Sequence, residues 1–266
     1  MGVRIVNIWG GAEYMNTEHK PTLRIIEILN LISSERQGCR LSEVSARLGI
    51  PMGTLSPIVH TLRENKYLSF DEQAQTYSLG IRLFEIGSRY MQCSNSFEDM
   101  TVIMQEIVQR CGETVHLAVL DGQNVLYVAK VDSTEPIRMY SAIGKRLPAY
   151  STAVGKALMA EYTEADLRTL YPDGLKPLTE HTITDFSVLA AQLREVREKK
   201  MAYEKEESNE MIRCTAKPIM KNGVAVAAMS ITIPLFRWTA EKQQFIEQLL
   251  NEYAVYAGQI AAHMNL

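Results

Sequence analysis

The segment LSEVSARLGIPMGTLSPIVHTLRENKYL, residues 41–68, decides how the rest of the chain is read. Residues 41–48 carry a short helical pattern, with Ser42 placed to cap it, Glu43 suited to its first turn and Gly49 closing it. A second pattern follows, with Leu55, Ile58, Val59 and Leu62 on one face. Two helices joined by a tight turn place the second in the major groove of DNA. Upstream, residues 21–32 form an amphipathic helix through Leu23, Ile25, Ile26, Ile28, Leu29, Leu31 and Ile32. Downstream, YLSF at 67–70 and TYSL at 76–79 alternate around the polar tip DEQAQ at 71–75, which predicts a β-hairpin. Three helices and a wing make a winged helix-turn-helix over residues 20–80, mainly α with a β-wing.

Pro57 is the awkward residue in this stretch. Inside a helix a proline loses one hydrogen bond and presses on the carbonyl four residues back, here that of Gly53. A helix capped by Thr54 or by Ser56 would place the proline where its N–H is not needed. The expectation is a helix that starts near Thr54 or is distorted in its first turn. Either way Thr54, Ser56 and His60 fall outward between the apolar positions and can reach phosphates or bases. The candidate phosphate contacts are Arg24, Arg40, Arg47, Arg63 and Lys66, with Gln75 at the tip of the wing.

Bulk charge neither demands nor forbids this reading. The chain of 266 residues has net charge −3, so it is not basic all over. Residues 15–92 hold nine Lys or Arg against eight Asp or Glu, so a phosphate-binding face must come from arrangement. The four cysteines, Cys39, Cys93, Cys111 and Cys214, show no CxxC spacing, and the histidines are scattered. No metal or cofactor is expected. Cys214 with His116 and Glu204 could in principle serve as nucleophile, base and orienter, but no local signature supports it, and no enzyme is expected. No run of about 18 apolar residues suggests a membrane span. The start MGVRIVNIWGGAEYM lacks a signal-peptide pattern, so a cytoplasmic protein is expected. Met15 opens a more polar start; residues 1–14 are expected to be a disordered extension or a mis-assigned start, and residues 1–19 are grouped as extension.

The remainder reads as a linker helix at 81–94 and an α+β domain at 95–266. Polar CSNS at 93–96 marks the boundary, and a helix runs to about Arg110. Strands are expected at 115–120 and 124–131 around Asp121-Gly122, and at 137–142. The loop GKRLPAYSTAVGKALMA, 144–160, ends in a helix that begins near Ala153, with Ser151 and Thr152 at its cap. That start is either an anion site or an ordinary capped helix packed on a sheet. A charged helix at 185–200, a hairpin of 212–220 and 224–233 turning at Asn222-Gly223, and a helix at 240–264 complete a largely antiparallel α+β unit.

Three segments, LSEVSARLGIPMGTLSPIVHTLRENKYL, GKRLPAYSTAVGKALMA and YEKEESNEMIRCTAKPIMKNGVAVAAMSIT, resemble the IclR family of bacterial transcriptional regulators, from about Lys20 to the end. The resemblance implies a winged helix, a linker helix and a GAF-like effector domain. It implies homodimers, often paired into homotetramers, on palindromic double-stranded operators near catabolic operons. It also implies a pocket between the sheet and the GKALMA helix for a small organic acid. Carried over by motif, the lining is Met139, Ala153, Val154, Gly155, Glu204, Cys214, Ser230 and Thr232. Ser230 and Thr232, two apart on one strand, share a face. The chain departs from the family where Met52 and Pro57 stand in place of basic residues on the recognition helix. Two functions follow: a ligand-responsive transcription factor, repressor or activator, or a metabolite sensor with weakened DNA reading.

Overall fold

The computed structural model of the chain describes residues 19–92, 96–136 and 141–262. The expected extension at 1–19 therefore lies, His19 apart, outside the described residues. The chain divides into two compact units, one up to Cys93 and one from Ser94.

The first unit runs α1 (Lys20–Ser33), α2 (Leu41–Leu48), α3 (Met52–Glu64), β1 (Leu68–Asp71), β2 (Thr76–Leu79) and α4 (Ile81–Gln92). Its core gathers Ile28 and Ile32 of α1, Val44 of α2, and Leu55, Val59 and Leu62 of α3 around Cys39, Ile50 and Leu68. These are the helical-period positions seen in the sequence, and burying each large aliphatic side chain contributes ~1.5–3 kcal/mol. The wing pairs Leu68 with Leu79 through Asp71 with Thr76. A third backbone joins it, because Cys39 and Tyr77 exchange both N–H···O bonds, at 2.9 and 2.8 Å.

One helix cap and one helix start differ from the sequence reading. Arg40, not Ser42, is the N-cap of α2, and the Glu43 carboxylate accepts its backbone N–H at 2.8 Å. The acidic residue three places on supplies the cap, so the hydroxyl of Ser42 is not needed. Likewise α3 starts at Met52, capped by neither Thr54 nor Ser56. Extended Pro51 ends the turn, and its carbonyl accepts the N–H groups of Thr54 and Leu55 at 2.9 and 3.0 Å. Pro57 is therefore an internal residue of the helix. Gly53 and Pro57 are both exposed, so water can take the carbonyl that the proline leaves without a donor. At the other end the Tyr67 N–H reaches the Leu62 carbonyl at 2.8 Å and the Lys66 N–H reaches Arg63 at 2.9 Å, with Lys66 left-handed at φ 62°. That is a Schellman stop built without glycine.

The second unit opens with α5 (Ser96–Cys111) and hangs six strands in one antiparallel sheet, order β5-β4-β3-β8-β7-β6. The strands are β3 (Thr114–Asp121), β4 (Asn124–Val131), β5 (Arg146–Pro148), β6 (Ala202–Lys205), β7 (Ile212–Lys221) and β8 (Val224–Pro234). The β7–β8 hairpin turns on Asn222 and Gly223 at φ 52° and 81°, the left-handed pair that a two-residue turn of this hand requires. Residues 137–140 of the expected strand lie outside the described residues, and Ser141 and Ala142 are not in a strand. Short β5 edges β4 instead.

Helices cover both faces of the sheet. On one face α5 and α9 (Ala240–Ala261) pack against Val115, Leu117, Met229, Ile231 and Ile233. On the other, α6 (Ala153–Leu158), α7 (Glu164–Leu170) and α8 (Phe186–Lys199) pack against Ala118, Tyr127, Ala216 and Ala228. Strand alternation thus divides β3 and β8 between two cores. The small alanines on the second face let α6 settle close to the sheet. α6 also packs tightly on the turn before it: a Cβ at Gly155 would sit 2.1 Å from the Ala149 carbonyl oxygen. Gly155→Ala should destabilise the unit by about 1–3 kcal/mol in urea denaturation, since backbone must shift to admit the methyl. Gly87→Ala on the exposed surface of α4, where nothing lies within 4 Å, should instead be neutral or stabilising.

Candidate nucleic-acid interface and effector site

Helix α3 shows solvent a mixed face. Met52 is 46% exposed, Ser56, Pro57, His60 and Arg63 are exposed, and Thr54 is only half-buried rather than fully outward. The Thr61 hydroxyl bonds back to the Pro57 carbonyl at 2.8 Å, which uses its donor on the helix itself. Arg63 stands over the Phe70 ring at 5.4 Å, so β1 orients its guanidinium. Arg47 is paired with Glu35 at 2.6 Å, which reduces its value as a free cation. Arg40 and Lys66 are exposed, Arg24 is half-buried, and Gln75 sits left-handed at the wing tip with its amide on the Glu72 carbonyl.

In the second unit the register brings four of the expected effector residues onto one face. Glu204 of β6 lies opposite Cys214 of β7, and Cys214 opposite Thr232 of β8. Ser230 lies between Ala216 and His116 of β3. Ala153, Val154 and Gly155 occupy the first turn of α6, which packs on this face. Met139 lies outside the described residues. Within that turn the Thr152 hydroxyl accepts the Gly155 N–H at 3.1 Å and the Thr152 carbonyl accepts the Lys156 N–H at 3.0 Å. The N–H groups of Ala153 and Val154 are left over.

A chain of polar contacts runs across the strands. The Ser141 hydroxyl meets His116 Nε2 at 2.7 Å, His116 Nδ1 meets the Thr232 hydroxyl at 3.4 Å, and Thr232 meets Cys214 Sγ at 3.2 Å. His116 is buried beside the Tyr127 ring, and desolvation, helped by the Lys130 charge, pushes its pKa down to about 4. It is a neutral imidazole that donates through one nitrogen and accepts through the other. Burial also pushes the Cys214 thiol well up, the Glu204 carboxylate adding to it, so this cysteine is no nucleophile at neutral pH. Glu204 is 1% exposed. Its Oε1 accepts the Glu207 and Ser208 N–H groups at 2.7 and 3.0 Å, while its Oε2 is buried without a partner. Desolvation pushes its pKa up to about 7 against those hydrogen bonds.

Beside it lies a group that sequence reasoning missed. Lys156 of α6 is 1% exposed and donates to the Glu207 carboxylate at 2.5 Å, to Gln192 Oε1 of α8 at 2.9 Å and to the Tyr203 carbonyl of β6 at 3.3 Å. Its pKa is lowered by desolvation and held up by Glu207. The signal was a lysine alone in the apolar run AVGKALMA. His116, which the sequence offers as a base only without a supporting signature, is a buried hydrogen-bonding relay.

A winged helix ahead of an antiparallel α+β unit with a buried polar face defines a class: a transcription regulator with a sensory domain. The IclR helix-turn-helix domain matches residues 22–72, and the domain described as bacterial transcriptional regulator IclR C-terminal matches residues 88–256. The chain belongs to the IclR family, and it is a DNA-binding, effector-responsive transcriptional regulator rather than an enzyme. It is similar to the HTH-type transcriptional regulator KdgR of Escherichia coli, 32% identical over 245 residues that span 91% of this chain and 92% of that one. It is similar to the HTH-type transcriptional regulator XynR of the same organism, 30% identical over 85% of this chain and 91% of that one. The crystal structure of the Thermotoga maritima IclR superposes with TM-score 0.72 at 30% identity, covering 92% of this chain and 100% of that one. An IclR homologue from Microbacterium hydrocarbonoxydans, solved with 4-hydroxybenzoate, shares the fold at TM-score 0.78 and 22% identity, covering 90% and 98%. No helix among the described residues is long and apolar enough to cross a membrane.

Glu204 and His116 give the second unit opposing pH dependences. The folded chain keeps a proton on Glu204 between its ordinary 4.5 and about 7, where the unfolded chain has lost it. That contribution is complete below the lower value and is lost as pH rises through the upper one. His116 runs the other way: its folded form resists protonation between 6.5 and about 4, so stability is lost as pH falls through that window. Glu204→Gln should leave only the second slope. Its stability relative to the parent should rise with pH by up to about 3 kcal/mol between pH 4.5 and 7.5, read by urea denaturation at each pH. A flat difference would place the Glu204 proton elsewhere.

Proposed function

We propose that the second unit binds a small organic acid on the Glu204–Cys214–Thr232 face, and that the ligand sets how tightly the first unit holds a palindromic operator. The unpartnered Glu204 Oε2 carries this reading. A carboxyl group whose pKa is pushed up to about 7 can offer an O–H to an incoming carboxylate. The hydroxyls of Ser230 and Thr232 and the free N–H groups of Ala153 and Val154 are further donors within the same cradle. Gly155 lets the helix come close enough, and Met139 completes the set that the family resemblance implies.

On the DNA side, Met52, Thr54, Ser56 and His60 are proposed to read, and Arg40, Arg47, Arg63, Lys66 and Gln75 to hold phosphates. A homodimer or homotetramer is supported by the exposed apolar residues of α4, Ile81 at 59% and Phe84 at 71% exposure, which a second copy can cover. The proposed setting is a catabolic operon in the cytoplasm, the acid being a substrate or intermediate of the encoded route. The ligand need only bind one arrangement of the DNA-binding units better than another. A second reading, a metabolite sensor with weakened DNA reading, is favoured by Pro57 inside α3 and by Met52 where a base-reading cation would serve.

Gel shifts with the chain's own upstream DNA should show a specific complex that weakens steeply with salt. Arg63→Ala and Lys66→Ala should each weaken it across all sequences and lower the salt slope by about one, whereas His60→Ala should relax specificity by about 1–3 kcal/mol at one base position. Thr232→Val should keep DNA binding and lose the ligand response. Pro57→Arg should tighten binding if α3 enters the groove in the usual family manner. Salt-insensitive or sequence-independent binding by the parent would favour the sensor reading.

A further inference from the structure

The sheet has a second polar feature, on the face away from Thr232. Lys205 of β6 and Arg213 of β7 are cross-strand neighbours, one residue along from the Glu204–Cys214 pair and hence on the opposite face. With Tyr203, Trp238, Gln243 and Glu247 they enclose a cleft of about 190 Å³ against α9, whose lining also takes in Glu204 and Cys214 where the strands cross it. Tyr203 and Trp238 pack on the α5–α9 core, whereas Cys214 packs on the α6–α8 core, so the cleft lies on the α9 side and borders the proposed effector cradle at the Glu204–Cys214 pair, with Ser230 and Thr232 outside its lining.

The walls of this cleft are fixed by their own bonds. The Trp238 indole N–H donates to Gln243 Oε1 at 3.1 Å, and Gln243 Nε2 donates to Thr215 at 2.8 Å and to Glu247 at 3.0 Å. The Tyr203 hydroxyl donates to the same Glu247 oxygen at 2.9 Å. Glu247 thus has two donors and needs no cation. Arg213 stands over the Trp238 ring with its Cζ 4.1 Å from the ring centroid, and its Nε is buried with no hydrogen-bond partner. Among the described residues neither Lys205 nor Arg213 is paired with a carboxylate. A buried guanidinium N–H without an acceptor is costly, and a planar fork fixed by stacking suits a carboxylate that meets it edge-on.

We propose that this cleft is a second ligand site, taking a small monocarboxylate whose acid group pairs with Arg213 and Lys205 and whose short apolar part rests against Trp238. Two cations set against one carboxylate suit a single negative charge, since a dianion would meet Glu247. The volume is that of about six waters, which limits the guest to a few heavy atoms.

The test uses Trp238 fluorescence in a full-length Trp9→Phe background, which leaves one tryptophan, titrated with sodium propionate against sodium chloride at matched ionic strength. The expected result is a saturable change with propionate and none with chloride. Arg213→Gln should weaken it at least tenfold, and Lys205→Ala, at an exposed position, several-fold. Thr232→Val should leave it unchanged. A change that does not saturate, that chloride reproduces, or that survives Arg213→Gln or Lys205→Ala overturns the site. Loss in Thr232→Val overturns it too, since propionate would then be acting from the opposite face. If Arg213→Gln fails to keep its far-ultraviolet dichroism, Lys205→Ala alone decides.

Discussion

The second unit is organised around one buried cation. Lys156 ties α6 to α8 through Gln192, to the edge strand through the Tyr203 carbonyl and to the β6–β7 loop through Glu207. Bringing an ammonium and a carboxylate out of water costs several kcal/mol per ion, and their attraction offsets this only when the remaining donors are also met. Here all three protons of the ammonium find oxygen, while Glu207 keeps one oxygen unpartnered. The loop that Lys156 anchors is the one whose 207 and 208 N–H groups hold Glu204. The polar face around Glu204 is therefore positioned by a charge pair that lies beside it. Replacing Lys156 by an apolar residue would leave Glu207 alone in the interior and free the loop, so its effect on ligand binding would come through Glu204.

The fold was legible wherever local periodicity and turn chemistry agreed. Leu55, Val59 and Leu62 in α3 and Asn222-Gly223 in the β7–β8 hairpin each carry their own instruction, and the structure follows them. The misreadings came where a local rule had a competitor. Ser42 has the side chain of a cap, but Glu43 reaches back to Arg40 and sets the cap two residues earlier. Thr54 and Ser56 offered a start that kept Pro57 harmless. The turn from Gly49 to Pro51 and the burial of Leu55 instead begin the helix at Met52, and the proline is tolerated on an exposed side. Short α7, β5 and β6 carry too few residues for any period to show.

The site was legible only in part, for a different reason. Its components are contributed by β3, β6, β7, β8 and α6, and register alone brings Glu204, Cys214, Thr232 and His116 into line. No spacing within one segment encodes that. Ser230 and Thr232 could be placed on one face by alternation, because they share a strand. Lys156 could not, since an isolated lysine in an apolar run reads equally as a surface residue next to a core helix.

Strands β6 and β7 present one polar pair on each side of the sheet. Glu204 and Cys214 face α6, and the adjacent Lys205 and Arg213 face α9. The two pairs are consecutive in register, so their backbones share the same ladder of hydrogen bonds. A slip of one residue would exchange the two faces, so the ladder holds each pair on its own side. β6 is an edge strand of four residues, whose Tyr203 carbonyl accepts from Lys156 and whose Tyr203 hydroxyl donates to Glu247. Filling the cleft on the α9 side would fix Arg213 and Lys205 and so stiffen the strand that carries Glu204. Both faces therefore draw on the same short edge strand, whose register decides which side chains each of them receives.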